Sequence, residues 1–111
     1  TESVSVKLKT AADLAAIKAV FRAFEDPIAH LGLPSSPTPL IKLFEDERFP
    51  QPRRHASLGN GMTVSVGRVR ADALFDVKFT LLVHNTIRGA AGGAILNAEL
   101  LVSKGYLKHR I

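Results

Sequence analysis

Three stretches of the chain alternate between apolar and polar side chains, which is the pattern of half-buried β-strands. They cover residues 3–9, 62–70 and 75–83. Because few residues separate the second stretch from the third, we predict that these two strands form an antiparallel hairpin. Gly67 interrupts the second stretch, where it predicts a β-bulge.

Helical spacing of apolar residues replaces the alternation in two other segments. Over residues 11–25 this spacing predicts a helix, which Thr10 and Asp13 cap and which ends before Pro27. Over residues 85–104 it predicts a second helix.

The second predicted helix is capped by Asn85 and Thr86 and is terminated by Gly105. Its first half contains only glycine and alanine over residues 89–94, although each glycine costs a helix roughly 1 kcal/mol relative to alanine. We therefore expect another backbone or a ligand to lie close against that half. The second half predicts a core stripe, which consists of Ile95, Leu96, Ala98, Leu101 and Val102.

A long segment separates the first helix from the hairpin. Residues 27–61 contain all 6 prolines and are predicted to be irregular, apart from a short helix over residues 40–44. The order of strand, helix, long loop, hairpin and helix predicts an α+β fold. Its sheet is mostly antiparallel and its helices lie on one face.

Composition limits what such a fold does. With 111 residues the chain has room for one small domain, and 46% apolar with 23% charged residues indicates a packed core. Since no apolar run reaches the ~20 residues that cross a bilayer, we expect no membrane partner. The absence of cysteine excludes a disulfide, a thiolate metal site and a cysteine nucleophile within these residues. The chain begins without methionine, and we expect it to be an internal stretch of a longer protein.

The net charge of +5 comes from 15 basic and 10 acidic residues that are spread along the chain. Basic clusters occur only at residues 53–55 and 108–110, and the few aromatic residues are not interleaved with them. This distribution is typical of a solvated surface, so we expect no nucleic-acid partner.

The usual catalytic motifs are missing. None of the histidines (His30, His55, His84 and His109) shows metal-binding spacing, so we expect no metal site and give His84 no catalytic role. No G-x-S-x-G motif is present either, which argues against a serine hydrolase.

Arg68 and Arg70 lie two positions apart on a predicted strand and therefore share a face of the sheet. Such a pair binds a carboxylate or a phosphate, or it forms salt bridges across a subunit interface. An ordinary solvated surface accounts for it as well.

The strongest local signal lies where the last strand meets the last helix, over residues 85–93. A helix amino terminus offers free backbone N–H groups, and the missing side chains leave room for a flat ligand. The amide of Asn85 both donates and accepts hydrogen bonds. Close packing of the helix explains the same glycines and alanines, and the segment lacks the G-x-G-x-x-G spacing of a pyrophosphate loop.

Three segments together are similar to one enzyme family. They read GNGMTVSVGRVR at residues 59–70, FDVKF at 75–79 and HNTIRGAAGGAILNAELL at 84–101. These resemble the carboxy-terminal third of aspartate-semialdehyde dehydrogenase in its archaeal and fungal branch. The resemblance implies an NADP-dependent parent enzyme that converts aspartyl phosphate to aspartate semialdehyde for lysine, threonine and methionine biosynthesis in the cytoplasm.

The resemblance also implies roles for parts of this chain. Residues 1–84 correspond to a partial catalytic and dimerisation domain of the glyceraldehyde-3-phosphate-dehydrogenase-like type, and residues 85–111 to a helix that returns to a missing amino-terminal cofactor domain. Three residues are implied to lie at the cofactor, namely Asn85, Thr86 and Gly89. Arg68 and Arg70 are implied to serve the subunit interface.

No catalytic residue is implied within the chain, because the family's cysteine, arginine and histidine map upstream of Thr1. We therefore expect the chain alone to be inactive, to bind NADP weakly and to self-associate. Two alternatives remain open. One is another acyl-phosphate or acyl-CoA reductase of the same superfamily, and the other is a free-standing dimerisation module without catalytic function.

Overall fold

The computed structural model describes residues 1–107, so the basic cluster at 108–110 and His109 lie outside the described residues. Strands are β1 (Glu2–Val6), β2 (Ile41–Leu43), β3 (Val64–Ala71) and β4 (Val77–Leu82), and α-helices are α1 (Leu14–Ala23), α2 (Pro52–His55) and α3 (Gly92–Ser103). Two 3₁₀-helices (Ala29–Leu31 and Leu58–Gly61) and a π-helix (Ile87–Ala91) complete the set. None of the helices within residues 1–107 has the length and apolarity that a bilayer crossing requires.

One four-stranded sheet has the order β1-β4-β3-β2. The predicted hairpin is confirmed, since β3 and β4 pair antiparallel, and β1 pairs antiparallel with the other side of β4. The α+β fold is therefore confirmed, but the sheet is mixed, because β2 runs parallel to β3.

The prediction of a short helix over residues 40–44 is wrong, because the parallel strand β2 lies there instead. The residues just before and just after β2 are both hydrogen-bonded to β3. Val64 N donates to Leu40 O and Phe44 N donates to Val66 O, both at 2.8 Å. Ile41 and Leu43 join the core beneath α1, and the residue between them is exposed. A three-residue alternation at a sheet edge satisfies burial without any helical hydrogen bond.

Both predicted amino-terminal elements are shorter than expected. β1 ends at Val6, because Leu8 N donates to a carboxylate oxygen of Asp76 at 2.6 Å rather than to the backbone of β4. α1 begins at Leu14, because Asp13 is its N-cap and accepts the N–H of Ala16 at 2.7 Å. Side-chain acceptors thus set both boundaries.

α1 packs against the sheet and builds the larger core. Leu14, Ile17 and Phe21 of the helix contact a buried cluster in the hairpin. Phe21 meets Phe79 edge-to-face, with ring centroids 5.4 Å apart, which is a favourable aromatic geometry. The buried members of the cluster are Val66, Val69 and Val77.

The proline-rich segment, which comprises residues 27–61, covers the other face of the sheet at Gly67. A Cβ atom added to Gly67 would lie 2.4 Å from the carbonyl oxygen of Phe49 and 2.8 Å from Pro50, which is fully buried. The predicted bulge is confirmed, because the register of β3 against β4 shifts between Gly67 and Arg70. Only glycine leaves space for the segment to lie this close.

α3 builds a second, smaller core with the proline-rich segment. Leu96 is buried with Leu33 and Met62, and Leu100 packs at its edge. Glu99 fixes the same contact, because Ser35 donates its N–H to one carboxylate oxygen at 2.9 Å and its hydroxyl to the other at 2.7 Å. The end of α3 is as predicted, with Gly105 in the left-handed region at φ 77°.

The predicted core stripe of α3 is wrong for all its members except Leu96. Ile95 is 55% exposed and Val102 is 58% exposed, and Leu101 and Ala98 are also exposed. Within the described residues the helix meets only one neighbouring cluster, so a single side of it is covered. The other apolar residues face outward.

Replacing Gly67 with alanine tests the close approach of residues 49 and 50. We expect Gly67→Ala to lower the free energy of unfolding by about 1–3 kcal/mol, because the backbone of Phe49 has to move. Denaturant unfolding of the purified chain measures this change. The control is Arg70→Ala, an exposed change in the same strand that should stay within about 0.5 kcal/mol. Equal stability of the two variants would contradict the packing described.

Arg48 lowers the pKa of Asp46 from 3.8 to about 2. Its guanidinium donates to both carboxylate oxygens, at 3.0 Å to Oδ1 and 2.6 Å to Oδ2, and its backbone N–H donates to Oδ1 at 2.9 Å. Because the folded-state pKa lies below the unfolded value, the pair favours folding above pH about 4 and loses that contribution as the pH falls through about 2.

We expect Arg48→Gln to raise the pKa of Asp46 toward 3.8, since the side-chain hydrogen bond is the largest cause of the shift. A carbon-detected NMR titration of the carboxyl group measures it. Arg53→Gln, which changes an exposed arginine of the same segment, should leave the titration unchanged.

Candidate functional site

The chain turns sharply where β4 ends, and this corner contains the residues predicted at the cofactor. Leu82 is buried in the sheet and His84 is half-buried, whereas Asn85, Thr86 and Gly89 are exposed. The structure thus places all three predicted residues on one accessible surface at the end of the sheet.

A π-helix shapes the corner. Gly89 N donates to His84 O at 3.2 Å and Ala91 N donates to Thr86 O at 3.0 Å, each across five residues. The helix predicted from Asn85 therefore starts as a π-turn and becomes α-helical at Gly92. Single π-turns of this kind are frequent at functional sites.

Asn85 and Gly89 lie against one another. A Cβ atom at Gly89 would lie 3.3 Å from Oδ1 of Asn85, and no other group is near that position. A larger residue at Gly89 would therefore crowd the amide of Asn85. From Gly89 through Ala91 the exposed surface carries no side chain beyond Cβ, which leaves a flat wall beside the amide. These residues fit a planar ligand that bears its own amide group.

The next two glycines have a different reason. A Cβ atom at Gly92 would lie 2.5 Å from the sulfur of Met62, and one at Gly93 would lie 2.6 Å from the carbonyl oxygen of Arg88. At Gly92 the close group is thus the side chain of Met62, and at Gly93 it is the carbonyl of the preceding helical turn, so neither is the separate backbone or the ligand that we expected. Of Gly89, Gly92 and Gly93, only Gly89 has an open surface.

Two residues at the corner were not predicted. His84 accepts the N–H of Ile87 on its ring Nδ1 at 3.3 Å, and the hydroxyl of Thr86 lies 3.2 Å from the same atom. Thr86 itself makes no capping hydrogen bond, so the predicted cap is wrong. The spacing of a polar residue three positions before a helical N–H is the sequence signal that identifies His84. Arg88 is the second, since its Nη1 is buried without a hydrogen-bond partner among residues 1–107.

Strand register brings the start of β1 to the same corner. Glu2 lies opposite Leu81, and the two strands are antiparallel. The start of β1 therefore lies beside the end of β4, close to the point where the chain turns into the corner.

Arg68 and Arg70 lie elsewhere, on the bulged part of β3. Both are exposed, while Val69 between them is buried. Arg68 adopts a left-handed φ of 54° and donates to the carbonyl oxygen of Glu47 at 2.9 Å, and Arg70 donates to the carbonyl oxygen of Arg68 at 2.7 Å.

The cleft beside these arginines, of about 260 Å³, is mixed in charge. Glu45 and Glu47 line it, and Lys18 is paired with Glu45 at 3.1 Å. The two carboxylates partly neutralise the cationic side chains of the cleft, and the guanidinium groups bond backbone carbonyl oxygens. Within residues 1–107 no group of three or more histidine or acidic side chains is placed to hold a metal ion.

Comparison with known proteins gives consistent matches over nearly the whole chain. The family described as "Semialdehyde dehydrogenase, dimerisation domain" matches residues 1–88. The chain is similar to aspartate-semialdehyde dehydrogenases of Aspergillus fumigatus, with 47% identity over 82% of this chain, and Archaeoglobus fulgidus, with 41% identity over 94%. These matches cover 26% and 29% of the two relatives, so the chain spans less than a third of their length.

A solved structure shows the same fold. It is the crystal structure of aspartate semialdehyde dehydrogenase with NADP from Candida albicans, which aligns with a TM-score of 0.83 and 38% identity. The alignment covers 95% of this chain and 30% of that protein.

Proposed function

Because the chain belongs to the semialdehyde dehydrogenase dimerisation-domain family, we propose that it is the carboxy-terminal part of an NADP-dependent aspartate-semialdehyde dehydrogenase. The parent enzyme reductively dephosphorylates aspartyl phosphate to aspartate semialdehyde. We place it in the cytoplasm and in the biosynthesis of lysine, threonine and methionine. The observation that supports this function best is the corner at the end of β4, where Asn85, Thr86 and Gly89 lie together on an open surface.

The corner provides one wall of the proposed cofactor site. The amide of Asn85 has both a donor and an acceptor, which match the carboxamide of a nicotinamide ring. The exposed backbone from Gly89 to Ala91 lets a planar ring lie close, and Thr86 adds a hydroxyl at the edge. When bound, NADPH supplies the hydride. The side chains of Asn85 and Thr86 orient the ring in this proposal.

The reactive groups come from outside this chain in our proposal. With no cysteine among its 111 residues, the chain cannot form the thioester of the family. The β1 register supports an upstream supply, since β1 starts at Glu2, opposite Leu81 near the end of β4. We propose that the thiolate and the proton carrier lie in the upstream part and that the chain alone is inactive.

Two surfaces are available for the partners of the proposed enzyme. Residues 85–111 contain the apolar outer side of α3, where Ile95 and Val102 are exposed, and we assign this side to the upstream cofactor domain. Residues 1–84 contain the sheet, and we assign self-association to them. Leu74 and Phe75 at the hairpin turn are 87% and 47% exposed. Arg68 and Arg70 lie at the end of β3 that leads into this turn. Exposed apolar residues of this kind are typical of interfaces.

Reconstitution tests the proposed function. The upstream 70% or so of the Candida albicans relative, complementary to its matched 30%, is mixed with this chain. We expect NADP-dependent oxidation of aspartate semialdehyde in the presence of phosphate, followed as absorbance of NADPH, only when both pieces are present. Activity of this chain by itself would contradict the proposal, and so would a folded complex of both pieces that turns over a different acyl phosphate but not this substrate.

Asn85→Asp tests the cofactor wall. The change removes the amide donor at nearly constant shape and adds a negative charge, so we expect the KM for NADPH to rise by about 5- to 100-fold in the reconstituted enzyme. Asn97→Asp makes the same chemical change at an exposed position on α3 and is the matched control. If both variants keep the KM of the unmodified enzyme, Asn85 does not contact the cofactor.

A further inference from the structure

His84 accepts two backbone hydrogen bonds from the corner that follows it. Its carbonyl oxygen accepts the N–H of Gly89 at 3.2 Å, which closes the π-turn. Its ring Nδ1 accepts the N–H of Ile87 at 3.3 Å, and the hydroxyl of Thr86 lies 3.2 Å from the same nitrogen. Asn85 and Thr86 therefore lie inside two turns, each of which is closed by a hydrogen bond to His84.

The donor at Ile87 fixes the chemical form of the ring. A backbone N–H donates only to an unprotonated nitrogen, so the proton of the neutral imidazole is on Nε2. Ile87 N is one of the amide groups at the start of a helix that have no partner within the helix. A side-chain oxygen usually accepts from such a group, but Thr86 does not do so here. His84 takes that role.

We propose that His84 is a positioning residue for the cofactor wall: its unprotonated Nδ1 holds the start of the π-helix and thereby sets the direction of the Asn85 amide. This inference rests on the proposed function, because it assigns His84 to the same site. It gives His84 no contact with the reacting atoms. It makes the position of one ring nitrogen a determinant of cofactor affinity, acting through Asn85.

Asparagine and glutamine differ in where they place a polar atom, and this difference provides a test of the role of His84. Asparagine places its carbonyl oxygen near the position of Nδ1, whereas glutamine places its amide near the position of Nε2. His84→Asn therefore keeps an acceptor for Ile87, and His84→Gln loses it. Both variants remove the imidazole, so any difference between them reports the acceptor position. His30→Gln, at an exposed histidine in the first 3₁₀-helix, is the matched control.

The experiment uses the complete enzyme that contains this chain and measures three quantities. These are hydrogen exchange of the peptide that includes Ile87, the KM for NADPH and the KM for aspartate semialdehyde. For His84→Gln we expect faster exchange and a KM for NADPH raised about tenfold, with the KM for the semialdehyde within twofold. For His84→Asn we expect all three to stay within about twofold of the unmodified enzyme. General damage to the fold would instead change both KM values in both variants.

Each outcome decides the inference. Identical behaviour of the asparagine and glutamine variants would overturn it. So would faster exchange in His84→Gln alone with no change in the KM for NADPH, since His84 would then cap the helix without positioning the cofactor. Should the complete enzyme show no activity with aspartate semialdehyde, the proposed function fails. The role of His84 is then still decided by two measurements, which are hydrogen exchange of the peptide that includes Ile87 and NADPH binding followed by fluorescence.

Discussion

The pairing of β4 with strands on both sides is the constraint on which the rest of the structure depends. Its register against β3 directs Val77 into the core beneath α1. Its register against β1 sets the start of that strand beside the point where the chain leaves the sheet. The corner at Asn85 is therefore located by backbone hydrogen bonds of the sheet, and its own side chains only refine it.

Burial is divided between two cores that use different partners. The sheet and α1 form one, and α3 with the proline-rich segment forms the other. The second core covers a single side of α3, which leaves Ile95 and Val102 in contact with solvent. Exposing apolar surface of this kind to water is unfavourable in free energy. This agrees with our proposal that α3 completes its packing on a cofactor domain.

Much of the fold was predictable because strand alternation depends only on which face of a sheet is buried. The hairpin, the bulge at Gly67 and the end of α3 at Gly105 follow from such local rules, and the resemblance to archaeal and fungal relatives is confirmed. Residues 40–44 were misassigned because so short an apolar run satisfies either a helix or a strand. Periodicity also identified the apolar side of α3 without showing what covers it.

The candidate site was predicted less completely. The positions of Asn85, Thr86 and Gly89 came from the resemblance, and the structure brings them together. His84 was missed because its contact depends on a π-turn, which changes the spacing of hydrogen bonds without leaving a mark on apolar periodicity. Finally, the two hydrogen bonds from Ser35 to the carboxylate of Glu99 join the proline-rich segment to α3. The helix and the loop around Ser35 are therefore held in one relative position, although 64 residues separate the two bonded residues.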